Sequence, residues 1–213
     1  WNGEVYCLNP DGKNLMWKFK VDDNEPIESS PAIVDDLVFI CSTSGEVYCV
    51  NFHSGEKIWK YKAEGGIVAT PLVFNNNLIF GSKNGDLYSL DIKDGSEKWI
   101  FNSNNSIVAS PAVFSKNICF CNTHGFVYVL NIESGNIVWK KNVKNRILSS
   151  PIITKGALFT VTSKGGIFIF DLFSGSEIFT FDLNVPVEGG ISVFHNGLLI
   201  PSTNGFLYCL GSR

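Results

Sequence analysis

One spacing constrains this chain more than any other: glycines at Gly45, Gly85, Gly125, Gly165 and Gly205 recur every 40 residues. Gly3 stands 42 residues before Gly45, and the two extra residues fall in the acidic stretch Asp22 to Glu25. Three further columns keep the same phase. They run Gly55, Gly95, Gly135, Gly175; then Trp17, Trp59, Trp99, Trp139, Phe179; then Pro31, Pro71, Pro111, Pro151, with Ile191 last. Four columns in one phase over five periods define a repeat architecture. A period near 40 residues built from short strands is that of a β-propeller, with about four strands per blade.

Within one period the pattern divides into four expected strands: Ile67 to Phe74, Leu78 to Ser82, Asp86 to Asp91 and Lys98 to Phe101. Each is rich in β-branched and aromatic residues and bounded by Asn, Gly, Asp or Ser. Ser44-Gly45, Asn84-Gly85, His124-Gly125 and Asn204-Gly205 put a glycine where a hairpin needs positive φ. Asn75-Asn76-Asn77 and His195-Asn196-Gly197 supply the other tight turn. No stretch has a 3.6-residue apolar period, so no helix is expected.

A proline cannot donate to a ladder, which confines it to an edge strand. The proline column is therefore expected on the innermost strand, whose free edge faces the central channel. Consecutive apolar residues such as Val47, Tyr48, Cys49 and Val50 mark a third strand covered on both faces by neighbouring blades. This phasing gives an all-β chain of four-stranded antiparallel blades. Four are whole, at about residues 27–62, 67–102, 107–142 and 147–182. Two outer strands precede them and three inner strands follow, so a single propeller domain or fragment over residues 1–213 starts and ends inside a repeat. An arc cut from a larger propeller, self-associating through its terminal blades, is the expected form.

Composition narrows the function classes. A net charge of −3 with Lys and Arg scattered singly offers no patch to neutralise phosphates, so nucleic acid is not an expected partner. No apolar run approaches the 18 residues or so of a membrane span. Of the six cysteines, Cys7, Cys49 and Cys209 share a repeat column with Ser89, Val129 and Ile169, and Cys119 shares one with Phe39, Ile79, Phe159 and Leu199. They read as small buried thiols in a reducing compartment, hence a cytoplasmic location. No CxxC pair exists, and no metal site is expected. His53, His124 and His195 lie in three different columns and read as solvated loop residues, as does the acidic loop of Asp22, Asp23 and Glu25.

The recurring segment Cys49-x-Asn51-x-x-Ser54-Gly55-x-x-x-Trp59 returns with Asp91, Asp94, Gly95 and Trp99, with Asn131, Ser134, Gly135 and Trp139, and in divergent form with Asp171, Ser174, Gly175 and Phe179. It resembles the tryptophan-docking motif of the pyrroloquinoline-quinone-like (PQQ-like) propeller superfamily over nearly the whole chain. In that family the indole covers the adjoining blade. Gly55, Trp59, Gly95, Trp99, Gly135, Trp139, Gly175 and Phe179 are accordingly expected to be structural positions. WD40 repeats share the period, but their Gly-His and Trp-Asp pairs do not occur here.

Quinoprotein dehydrogenases of the superfamily use calcium, an acidic catalytic residue and a vicinal Cys-Cys disulfide; this chain has no adjacent cysteines. No catalytic or cofactor-binding residue is expected, and no cofactor. The C-terminal run from Ser174, with SGEKIWKYK and VASPAVF, resembles the carboxy-terminal propeller of acyl-CoA-synthetase-like, β-alanine-activating enzymes. That resemblance implies a scaffold module behind an adenylate-forming domain and a carrier, with a protein or the parent's own domains as partner. Two alternatives stand beside it: an outer-membrane-assembly lipoprotein scaffold, and a fragment of a PQQ-dependent dehydrogenase.

Overall fold

The computed structural model describes residues 2–22, 24–194 and 197–211. The strands form antiparallel sheets, and no described residue is helical. The chain divides into two compact units, Trp1–Asn104 and Asn105–Arg213.

The first unit opens with a two-stranded blade, β1 (Glu4–Leu8) and β2 (Leu15–Lys20). Two four-stranded blades follow: β3 (Ala32–Val34), β4 (Leu37–Cys41), β5 (Glu46–Asn51) and β6 (Lys57–Lys62), then β7 (Leu72–Phe74), β8 (Asn77–Gly81), β9 (Asp86–Asp91) and β10 (Glu97–Asn102). The second unit has two more whole blades. One is β11 (Ala112–Phe114), β12 (Asn117–Cys121), β13 (Phe126–Asn131) and β14 (Ile137–Asn142); the other is β15 (Ile152–Thr154), β16 (Ala157–Val161), β17 (Gly166–Asp171) and β18 (Glu177–Asp182). A three-stranded sheet of β19 (Ser192–Phe194), β20 (Gly197–Pro201) and β21 (Leu207–Gly211) ends it. Strand order follows chain order in every sheet, so each blade is a meander. This is the fold class expected from the period, with four whole blades and partial ones at both ends.

The third strand is where the core lies. Val47, Tyr48, Cys49 and Val50 of β5 are all fully buried, and β9 and β13 repeat the pattern. Faces of successive blades interlock. In the first unit Phe39, Cys41 and Trp59 meet Leu78, Phe80 and Leu90. In the second, Cys119, Cys121 and Trp139 meet Leu158 and Phe170. Each fully buried Phe or Leu contributes about 1.5–3 kcal/mol of transfer free energy.

The first strand of each blade is shorter than the sequence suggests. β7 begins at Leu72, one residue past Pro71, not at Ile67. Pro71 has no N–H to give a ladder, and the Ile67 N–H instead donates to the Ser42 carbonyl of the preceding blade at 3.1 Å. The prolines therefore stand just before the edge strands rather than within them. The Ser or Thr ahead of each proline ties neighbouring inner strands together. Ser30 N–H donates to Thr70 Oγ1 at 3.3 Å, and Ser110 N–H to Ser150 Oγ at 3.0 Å.

Burial fades at both chain ends. β18 is exposed along its whole length, and in β21 exposed residues alternate with half-buried ones. Against the expectation of buried thiols, Cys209 is exposed, on the face of β21 opposite the packed Tyr208 and Leu210, and Cys7 is half-buried, packed against the next blade from a sheet of two strands; Cys41, Cys49, Cys119 and Cys121 are buried. His195, Asn196 and Asp23, singled out above, lie outside the described residues.

Candidate functional site

Antiparallel meanders put two kinds of loop at opposite ends of each blade. One end carries the hairpins between strands one and two and between strands three and four. The other carries the hairpin between strands two and three together with the connection to the next blade.

At the first end, the repeated polar residues are used to build the loop itself. Asn51 Oδ1 accepts the N–H groups of His53 and Ser54 at 2.9 and 3.0 Å. Asn131 does the same for Glu133 and Ser134, and Asp171 for Phe173 and Ser174. The Ser174 N–H in particular holds the Asp171 carboxyl below its usual range. These bonds turn the chain so that the glycine takes a positive φ, +71° at both Gly55 and Gly95 and +69° at Gly135 and Gly175. An indole from the preceding blade lies on three of them. A Cβ on Gly55 would come within 2.7 Å of the Trp17 ring, one on Gly95 within 2.7 Å of Trp59, and one on Gly175 within 2.8 Å of Trp139. Each indole N–H donates to a carbonyl of the same loop: Trp17 to Phe52 at 2.6 Å, Trp59 to Ile92 at 3.0 Å, Trp139 to Leu172 at 2.7 Å. Trp99 is half-buried, and Phe179, without an indole N–H, is 50 % exposed.

Phe179 borders an apolar groove of about 600 Å³ in the second unit, with Phe159, Ile167, Phe181, Leu198 and Leu210. Its origin is architectural: β21 has no fourth strand beside it among the described residues, so the outer part of this sheet leaves a gap against β17 and β18.

A tyrosine column that sequence reasoning passed over fastens the second end. Tyr48 Oη accepts the Asp22 N–H at 3.1 Å, and Tyr88 Oη accepts the Glu64 N–H at 3.0 Å. Tyr48, Tyr88, Tyr128 and Tyr208 keep the period, with Phe168 between them, so the signal was there to find.

The acidic loop is not merely solvated. Asp22 pairs with Lys60 at 3.0 Å and Lys57 at 3.6 Å, and chiefly the Lys60 hydrogen bond holds its carboxyl below the usual range. Glu46 pairs with Lys60 and Lys62 at 3.2 and 3.4 Å. At the first end His53 Nε2 lies 2.9 Å from Asp36 Oδ1, an exposed pair. Among the buried thiols, loss of solvation pushes Cys41 and Cys49 up to about 12, so both stay protonated and unreactive at neutral pH. Among the described residues no group of three or more His, Cys, Asp or Glu side chains is placed to hold a metal ion.

The loops at the second end of the second unit are basic. A cleft of about 350 Å³ opens there between the hairpin at residues 123–125 and the connection at residues 143–147, lined by Thr123, His124, Lys144, Asn145 and Arg146. Both loops are fixed. Val143 N–H donates to the Gly125 carbonyl at 2.9 Å, Thr123 N–H to Ser106 at 2.9 Å, and Ser163 N–H to the Arg146 carbonyl at 2.8 Å.

A family model described as outer membrane protein assembly factor BamB matches residues 2–109 and 100–181. No curated protein matches the chain. Among solved structures, BamB from Moraxella catarrhalis aligns with a TM-score of 0.84 at 18% identity, over 98% of this chain and 64% of that one. The computationally designed Ika8 protein aligns at 0.78 and 14% identity, over 85% of this chain and 57% of its own. Quinohemoprotein alcohol dehydrogenase from Comamonas testosteroni aligns at 0.75 and 14%, over 88% of this chain and 41% of that chain. The chain thus spans less than two thirds of the BamB structure it resembles. At these identities the likeness is one of fold.

Proposed function

The chain belongs to the family described as outer membrane protein assembly factor BamB, and from that premise we propose that it serves as a non-catalytic interaction module, a rigid PQQ-like propeller scaffold that presents loops to a protein partner. The observation that carries this reading is how the recurring polar and aromatic residues are spent. Asn51, Asn131 and Asp171 hold their own loops, and Trp17, Trp59 and Trp139 bridge blades through both ring and N–H. What distinguishes one repeat from another is then the loops, where scaffolds carry recognition.

The competing reading within the same fold is a quinoprotein fragment. Adding PQQ with calcium and following thermal unfolding separates the two. Ligand at about 100 times its Kd stabilises a folded state by about 2.7 kcal/mol, which moves the midpoint by several degrees. No shift is expected; a saturable rise would establish the dehydrogenase reading instead.

A finer reading concerns the parent protein. The resemblance of the run from Ser174 to the propellers of β-alanine-activating enzymes supports a place behind an adenylate-forming domain and a carrier, in the cytoplasm. The free, buried Cys41, Cys49, Cys119 and Cys121 are consistent with that compartment. In such a parent, deleting residues 1–213 leaves adenylation of the free acid intact and impairs transfer to the acceptor. Equal acyl transfer with and without the propeller would reject it.

A further inference from the structure

We propose that the cleft of Thr123, His124, Lys144, Asn145 and Arg146 binds clustered carboxylates of an acidic peptide segment. The proposal rests on the interaction-module reading and specifies the partner's chemistry and the residues that meet it.

Charge is partitioned sharply along this chain. Residues 1–104 carry 9 Lys and Arg against 15 Asp and Glu, a net of −6; residues 105–213 carry 8 against 5, a net of +3. From Asn105 to Phe170 there are seven Lys and Arg and one acid, Glu133, which sits in the β13–β14 loop at the opposite end of its blade from the cleft. One column reverses sign and two others replace a neutral residue with a basic one. Glu64 of the first unit aligns with Lys144, Gly66 with Arg146, and Ser44 with His124. Glu46, which neutralises Lys60 and Lys62, aligns with Phe126. The loops around the cleft therefore carry bases where the first unit has an acid or a neutral residue, and the carboxylate of Glu46 has no equivalent beside them. Lys144, Arg146 and His124 are exposed, and among the described residues Lys144 and Arg146 make no ion pair. Lys164 is also exposed, next to Ser163, whose N–H holds the Arg146 carbonyl.

The backbone decides which anion suits the site. Phosphate is usually cradled by convergent main-chain N–H groups. Here most of those groups are already engaged. Thr123, Gly125 and Val143 donate to carbonyls, and His124, Phe126 and Lys144 to the side-chain oxygens of Asn122 and Asn142. Recognition is left to side chains: a guanidinium able to take a carboxylate in two parallel hydrogen bonds, an ammonium as a point charge, and the hydroxyl and amide of Thr123 and Asn145. Donors spread over an open cleft suit several carboxylates on an extended peptide better than one phosphate. The loops are fixed before binding, so little ordering is required of the protein.

The test is fluorescence polarisation with the intact chain and a fluorescein-labelled peptide of six consecutive glutamates. Saturable binding is expected at 50 mM salt, weakening at 300 mM as screening grows, with none to the matching glutamine peptide. Lys144→Glu with Arg146→Glu should weaken binding at least tenfold, and Arg146→Gln alone at least threefold. Lys116→Glu with Lys155→Glu changes the charge equally at the other end of the same blades and should leave binding within twofold. Equal loss in both double variants would mean diffuse attraction, and displacement by millimolar inorganic phosphate would mean a phosphate site; either overturns the proposal, as does no binding to the wild-type chain. A null result here, alongside no thermal response to PQQ with calcium, removes this site and leaves the interaction-module reading standing.

Discussion

Trp59→Ala is expected to lower unfolding free energy by about 3–5 kcal/mol, the range for deleting a buried large aromatic side chain. Two losses combine. The ring is 9% exposed and packs in one cluster with Phe39, Cys41, Leu78 and Leu90, so its removal opens a gap between two blades. The Ile92 carbonyl also loses the indole N–H that meets it at 3.0 Å. Trp139→Ala should cost a similar amount, with the same donor to Leu172 and the same ring over glycine. Phe179→Ala is the internal control. That side chain is 50% exposed on the apolar groove, and its loss should cost less than about 1 kcal/mol. Urea unfolding of the three variants checks this; equal midpoints for Trp59→Ala and wild type would mean the indole does not hold the blades together.

The contrast between these positions shows what the sequence could and could not reveal. Periodicity marks a column as shared, so the blade pattern was legible from spacing, and the third-strand core from the consecutive apolar residues Val47 to Val50. It does not report whether a partner surface is present, and Phe179 keeps the column while lying half in solvent. Ion pairs between blades were hidden. The Asp22–Lys60 pair joins residues 38 apart through the placement of two blades, which no local pattern encodes. The Pro column was read correctly as incompatible with a central ladder. The ladder starting one residue later depends on Ile67 bonding to the preceding blade, a tertiary choice.

The basic cleft was illegible for a related reason. Lys144 and Arg146 look like isolated cations in sequence, and a count of charge over the whole chain averages an acidic half against a basic one. Only folding brings the hairpin at residues 123–125 against the connection at residues 143–147. Column alignment could have exposed the sign reversal from Glu64 to Lys144, had the loops been compared for difference rather than for identity.

The glycines of the second-end hairpin carry a double constraint, and separating its parts gives the other large expected effect. Gly165→Ala should destabilise the second unit by about 2–5 kcal/mol. Its φ of +95° is unfavourable for any residue with a Cβ, at about 1–2 kcal/mol. The added methyl would also fall 2.3 Å from the Val185 carbonyl oxygen and 3.2 Å from its nitrogen. Those are backbone atoms, and no rotamer change relieves the overlap, so the connection must move at the cost typical of overpacking, about 1–3 kcal/mol. Moving it strains the bonds that seat it, Leu183 N–H to Gly165 and Val187 N–H to Ser163. Gly205 holds the equivalent position with φ +86°, and among the described residues a Cβ there meets nothing within 4 Å. Gly205→Ala should therefore show the conformational cost alone, about 1–2 kcal/mol. The difference between the two substitutions in urea unfolding measures how tightly the connection is pressed onto the hairpin. If Gly165→Ala proves no worse than Gly205→Ala, the connection yields freely, and the fixed frame assigned to the equivalent loops around Lys144 and Arg146 loses its physical basis.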